Sequence, residues 1–187
     1  MPVPPSSTAE LLRLIESGAR VKFLYFWGHR PRPDGAIGPS CLSQWWPAPF
    51  TADGAGFASA EHYMMWRKAR LFGDEAAAGR ILAAAHPNDA KTLGRVVEGF
   101  DEDTWARERF GIVVAGSIAK FAAHADLRAF LLSTGDRILV EASPLDRVWG
   151  IGMAASDASA DEPARWRGRN LLGFALMRAR HELAGRS

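Results

Sequence analysis

The chain has 187 residues, 48% of them hydrophobic and 24% charged, a composition that builds a sizeable globular core and excludes a disordered or fibrous chain. A net charge of +2 is too small a surplus to argue nucleic-acid binding from charge alone, although a pI near 9.0 suits anionic ligands. The single cysteine, Cys41, excludes an intramolecular disulfide and a cysteine-built metal site, so a reducing, cytoplasmic setting is expected.

In chain order, residues 1–7 are Pro/Ser-rich and expected to be loose, with no basic and apolar signal pattern. Thr8 is placed to cap a short helix that runs through Glu16 and stops at Gly18. "VKFLYFW" (21–27) predicts a strand. Residues 28–56 concentrate Pro and Gly and predict loops with short extended pieces. Helices then dominate, over about 59–71, 74–85, 88–97, 103–123 (with Asp101 or Asp103 as its cap) and 126–132. "RILVEA" (137–142) predicts a second strand, 143–169 a loop-rich stretch, and "NLLGFALMRARHEL" a last helix with Asn170 at its N-cap and Gly185 beyond its end. The expected architecture is a single, mainly α domain with a few short strands, too helical for a doubly wound sheet. No run approaches the roughly 20 apolar residues of a membrane span.

One helix stands apart. In "FASAEHYMMWRKARLFGD" (57–74), Glu61, Met65 and Lys68 share one stripe. Seven residues turn a helix through roughly 700°, so Glu61 and Lys68 fall within about 20° of each other and roughly 10 Å apart along the axis. That is too far for an ordinary ion pair but suits two groups acting on one substrate. The alternative is a solvated helix edge, with Glu61 favourable near the positive N-terminus.

Other candidates carry similar alternatives. Asp146 precedes Trp149 by three residues in "SPLDRVWGIG" and could hold a polar ring against the indole, or be a turn Asp beside a core Trp. Lys91 and Arg95, four residues apart, could clamp phosphate or form a solvated basic face. Trp105 could stack on a base or cover the core. "GIGMAA" (150–155) matches a dinucleotide fingerprint only in letters, since no strand directly precedes it and a polar loop follows. The five histidines show no pairing at i, i+4, so no metal site is expected.

The pieces in order, "FLYFW", "LSQWWPAPF", "FASAEHYMMWRKARLFGD", "AHPNDAKTLGR", "LLSTGDRILVEASPLDRVWGIG" and "WRGRNLLGFALMRAR", resemble the NADAR family, also called YbiA-like, over about residues 21–184. The resemblance implies a helical YbiA-like N-glycosidase domain over 21–187, preceded by an N-terminal arm at 1–20 that carries a short helix. It implies hydrolysis of a bond between ribose C1 and nitrogen, without a metal or organic cofactor. One branch of the family acts on early ribosylamino-pyrimidine intermediates of riboflavin biosynthesis, and another removes ADP-ribose from guanine. Carried over by position, the polar site falls on Glu61, Lys68, Trp105, Asp146, Trp149 and Asn170; Lys91 and Arg95, from their own spacing, are second-choice phosphate contacts. Where many relatives have Asn in "LSN", this chain has Gln44.

The expected chemistry places Glu61 nearest C1, as the carboxylate that an oxocarbenium-like transition state requires. Asp146 would position the sugar or act as second acid–base group. Lys68 would hold phosphate, aid the leaving nitrogen or attack C1 as a Schiff-base amine. Three readings follow: cleavage of a small phosphorylated ribosylamine, removal of ADP-ribose from guanine, and binding of an ADP-ribose-like ligand without turnover. No membrane partner is expected, and nucleic acid only as an ADP-ribosylated substrate. The sequence does not specify an oligomeric state.

Overall fold

The computed structural model describes residues 3–185, so Met1 and Pro2, at the start of the expected loose segment, and the last two residues lie outside it. The described residues form seven helices, α1 (Thr8–Glu16), α2 (Ala60–Leu71), α3 (Glu75–Ala83), α4 (Pro87–Arg95), α5 (Glu102–Ala123), α6 (Ala125–Ser133) and α7 (Leu171–Ala184). Four short strands complete them: β1 (Phe23–Phe26), β2 (Phe50–Ala52), β3 (Ala55–Phe57) and β4 (Ile138–Glu141). The fold is mainly α, as the sequence pattern implies. No single helix among the described residues is long and apolar enough to cross a membrane.

The chain gathers into two units, Gln44–Ala125 and Met1–Ser43 with Asp126–Ser187. In the first, α2 is central and packs against α3, α4 and α5. Its first six residues, Ala60 to Met65, are all buried. This is the pattern of a helix surrounded by protein, and it leaves no solvated face along that stretch. Two glycines let the neighbours approach: a Cβ on Gly94 of α4 would stand 2.1 Å from Met65 Sδ, and one on Gly116 of α5 would stand 2.5 Å from the Tyr63 ring. Strands β2 and β3 form a hairpin across Asp53 (φ 50°) and Gly54 (φ 77°). Two successive positive φ values fit the tight two-residue turn that Asp-Gly favours. The turn Asp53 then accepts a hydrogen bond from the Tyr63 hydroxyl (3.0 Å), which ties the hairpin to α2.

The caps explain where these helices begin. Asp74 Oδ1 accepts from Ala77 N–H (2.8 Å) at the start of α3, and Asp101 Oδ1 accepts from Thr104 N–H (2.8 Å) at the start of α5. Of the two acids expected to cap α5, Asp101 does so. Helix α4 begins with Pro87 at its first position, where a missing N–H costs nothing. Both α3 and α4 end about two residues earlier than the sequence pattern implies, because Ala84 turns extended (ψ 132°) and Val96 leaves helical geometry.

In the second unit, β1 and β4 pair in parallel with Phe23 opposite Ile138, and α7 packs on β4. The approach is close: a Cβ on Gly173 would lie 2.0 Å from Leu139 O. Two expectations need correction here. Ser7, not Thr8, caps α1, its hydroxyl accepting from Glu10 N–H (3.2 Å), so Thr8 is the first helical residue. Asn170 does occupy the N-cap position of α7, but its side chain makes no cap bond. It sits in the left-handed region (φ 52°), and its amide bridges β4 instead, Oδ1 accepting from Glu141 N–H (3.0 Å) and Nδ2 donating to Leu139 O (2.9 Å).

Candidate active site

The first unit contains five of the residues singled out in the sequence: Glu61, Lys68, Lys91, Arg95 and Trp105. Glu61 lies in the first turn of α2, and its N–H donates to Gln44 O at 3.0 Å. Only 3% of its surface is exposed, so the solvated-edge alternative fails for this residue. A carboxylate this deep carries a desolvation cost that a surface glutamate does not, and it is kept only in polar company. The backbone carbonyl of Gln44 thus holds the start of α2.

Two turns on, Lys68 is half-buried. Its Nζ donates to Gly94 O (2.8 Å), stands 4.0 Å from the Phe100 ring centroid and 5.6 Å from that of Trp105. Burial pushes its pKa below the ordinary lysine value, partly opposed by the charge of Glu102. Several local choices place this amine. Gly94 lets α4 come close enough for its carbonyl to meet Nζ. Asp74 reaches past its own helix to accept from Glu98 N–H (3.0 Å), which fixes the segment that carries Phe100. Phe72, just beyond α2, packs edge-on against Phe100 (5.3 Å). Trp105 is 7% exposed in the first turn of α5, so it covers the core and still faces the amine.

Of the possible phosphate clamp, Arg95 is exposed and Lys91 half-buried, with Lys91 Nζ 5.7 Å from the Trp45 ring centroid. Beside Glu61, His62 is also buried. Its Nε2 lies 3.1 Å from Ala84 O and its Nδ1 2.8 Å from the Ser59 hydroxyl. A carbonyl can only accept, so Nε2 carries the proton and the neutral ring accepts the serine hydrogen. Burial pushes its pKa below the ordinary value of 6.5. The ring takes the hydroxyl that would otherwise cap α2, and it ties the start of α2 to the end of α3.

Asp146, Trp149 and Asn170 belong to the second unit. Asp146 Oδ1 accepts from both Val148 N–H (2.8 Å) and Trp149 N–H (2.7 Å), the turn-forming use of an aspartate. Trp149 is half-exposed, not a core residue. Its backbone is held by Leu172 N–H donating to Trp149 O (3.1 Å), so the start of α7 fixes the loop that presents the indole. The glycines of "GIGMAA" serve this packing: a Cβ on Gly150 would lie 2.8 Å from Glu141 O. Asn170 is fully buried, with its amide bound to β4. Among the described residues, no group of three or more His, Cys, Asp or Glu gathers as metal ligands would.

The roles of Phe100 and Gly94 are not legible in the sequence. Their signal is long-range contact with Lys68, which residue spacing does not carry. A buried carboxylate, an amine of lowered pKa and two aromatic walls can together handle a developing sugar cation and a planar leaving group.

A family model described as the NADAR domain matches residues 25–184. The chain is 39% identical over 166 residues to an N-glycosidase of Acanthamoeba polyphaga mimivirus, covering 86% of this chain and 96% of that protein. It is 35% identical over 143 residues to an N-glycosidase of Nostoc punctiforme, covering 76% of this chain and 85% of the relative. The solution structure of the Escherichia coli protein YbiA superimposes with a TM-score of 0.69 at 26% identity, covering 100% of this chain and 95% of that one.

Proposed function

This chain belongs to the NADAR domain family, and we propose from that membership that it is an N-glycosidase that hydrolyses the C1–N bond of a phosphorylated ribosylamine in the cytoplasm. The N-glycosidase names of its relatives support the reaction class. The observation that carries the reading is the α2 stripe: a carboxylate 3% exposed at Glu61 and, seven residues on, a half-buried amine of lowered pKa at Lys68. Such a pairing is costly to bury and has no evident use in stability alone.

In the proposed mechanism Glu61 offsets positive charge at C1 as the bond to nitrogen lengthens. Phe100 and Trp105 present their rings to Lys68 Nζ at 4.0 and 5.6 Å, and in this mechanism the planar leaving group lies against one of them. Lys68 then has two chemical options. As ammonium it supports the leaving nitrogen, which takes a proton, while water adds to C1. As free amine its Nζ bonds to C1 while the C1–N electron pair departs with the protonated leaving nitrogen; the ring C1–O bond then opens as Nζ gives a proton to the ring oxygen, and water hydrolyses the resulting open-chain imine to release the sugar and restore the amine. The lowered pKa enlarges the free-amine fraction and so supports the second route.

The test is mass spectrometry of the full chain with a ribosylaminopyrimidine phosphate and, separately, with ADP-ribosylated guanosine, each against a protein-free control. Released ribose phosphate above the control supports the reading. Release of ADP-ribose alone keeps the N-glycosidase class and moves the substrate, and release from neither overturns the class. Borohydride added during turnover should leave a reduced sugar adduct on the Lys68 peptide if the imine route operates, and no adduct would exclude that route.

A further inference from the structure

We infer that the side of α2 turned away from Glu61 and Lys68 carries a second small-ligand site, one that takes an amino-acid zwitterion with an apolar side chain. Arg70 lies nine residues after Glu61, about half a turn around the helix from it. Arg70, Trp66 and Arg67 line a cavity of about 360 Å³, which Leu71 and Ile112 extend with apolar surface and Asp53 and Glu108 edge with carboxylates. That volume falls in the range that holds small ligands.

Both guanidinium groups are already held in place. Arg67 Nη1 donates to Asp53 Oδ2 (2.5 Å) and to the Tyr63 hydroxyl (3.4 Å), with its Cζ 6.0 Å from the Tyr63 ring centroid. Arg70 Nη1 donates to Glu75 Oε2 (2.5 Å), with its Cζ 5.7 Å from the Trp66 ring centroid. Each arginine anchors through Nη1 only. The Nε–H and Nη2–H edge, the fork that grips a carboxylate in two parallel bonds, has no protein partner among the described residues. Anchoring also removes part of the ordering cost of binding.

The side chain of Glu108, contributed by α5, has no hydrogen bond or ion pair among the described residues. The lining therefore offers donor forks on α2, one open carboxylate on α5 and an apolar floor between. Its two arginines and two acids cancel in charge, which disfavours a dianion such as a phosphate monoester. A ligand with one carboxylate, one ammonium and an apolar body matches this lining: its carboxylate takes the fork of Arg70, its ammonium meets Glu108 and its side chain lies on the apolar floor. This site is independent of the glycosidase reading, because it lies on the other side of the helix and shares no residue with it.

The probe is L-phenylalanine, titrated into the full chain while the Nε–H signals of Arg67 and Arg70 and the indole N–H of Trp66 are followed by NMR. Saturable shifts of these signals are expected, with a dissociation constant on the order of millimolar for so small a ligand. N-acetyl-L-phenylalanine, which lacks the ammonium, and L-phenylalaninamide, which lacks the carboxylate, should each bind at least ~10-fold more weakly. Glu108→Gln and Arg70→Gln should weaken phenylalanine in the same way, and Lys68→Ala should leave its binding unchanged. No saturation, equal binding of the masked forms, or loss of binding in Lys68→Ala would each overturn the inference.

Discussion

Gly94→Ala puts the packing of the α2 stripe to a direct test. A Cβ at this position would lie 2.1 Å from Met65 Sδ, 2.9 Å from its Cγ and 3.1 Å from its Cβ. The thioether could swing aside, but the Cβ of Met65 moves only with the backbone, and Met65 is itself buried. Overpacking of this kind costs about 1–3 kcal/mol. Alanine in place of glycine inside a helix returns at most about 1 kcal/mol. Gly79, in the middle of α3, is the internal control, because a Cβ there meets nothing within 4 Å. Gly79→Ala should therefore stabilise by roughly 0.8–1.0 kcal/mol, and Gly94→Ala should fall about 1–3 kcal/mol below it. For a chain of this length each kcal/mol moves the melting temperature by about 2–4 °C. The same carbonyl that Gly94 brings forward receives Lys68 Nζ, so turnover should fall as well, by roughly 10- to 100-fold, the scale of an ångström displacement at a reacting group. Thermal melts followed by circular dichroism, and sugar release by the purified variants, check both halves. If the two alanine variants stabilise equally and Gly94→Ala turns over like the parent, the close contact between α4 and α2 is not what positions the amine.

Asn170→Ala should destabilise strongly, because it leaves Leu139 O and Glu141 N–H without their buried partner at about 1–3 kcal/mol each and puts alanine in the left-handed region. A denaturant midpoint within experimental error of the parent would refute this. Stability should also depend on pH through His62. Its folded pKa is lowered by burial, with His86 acting in the same direction and Ala84 O and Asp89 against it, so its contribution is complete above about 6.5 and is lost as pH falls below that value. Denaturant melts between about pH 7 and pH 5 should show a decline that His62→Gln flattens. An equal slope in the variant would assign the decline to other groups.

Capping residues and helical spacing made α2 through α7 legible in the sequence to within about two residues, since those signals are local. Pairing was less legible. Strands β1 and β4 meet across more than a hundred residues, and no local pattern announces a parallel partner so distant. The Asp53-Gly54 turn carries a local signal, but inside a Pro/Gly-rich stretch that signal implies no more than short extended pieces. Glu61 shows the limit of reading burial from spacing. Charges on a helix normally mark its wet side, yet the first six residues of α2 are buried on every side, so a carboxylate there looks like surface in the sequence. Asn170 shows a second limit. Its position before α7 implied a cap, while the bond it makes depends on where β4 lies.

If Glu61 and Lys68 perform the chemistry, Glu61→Gln reveals it with the least disturbance, because it keeps the shape of the side chain and removes its charge. Turnover of this variant on the substrate that the parent cleaves, measured as released sugar by mass spectrometry, should fall at least ~100-fold, the scale of one electrostatic or acid–base group, with the fold intact by circular dichroism. A folded Glu61→Gln protein that releases sugar at the parent's rate would contradict the assignment of the α2 stripe as the active site.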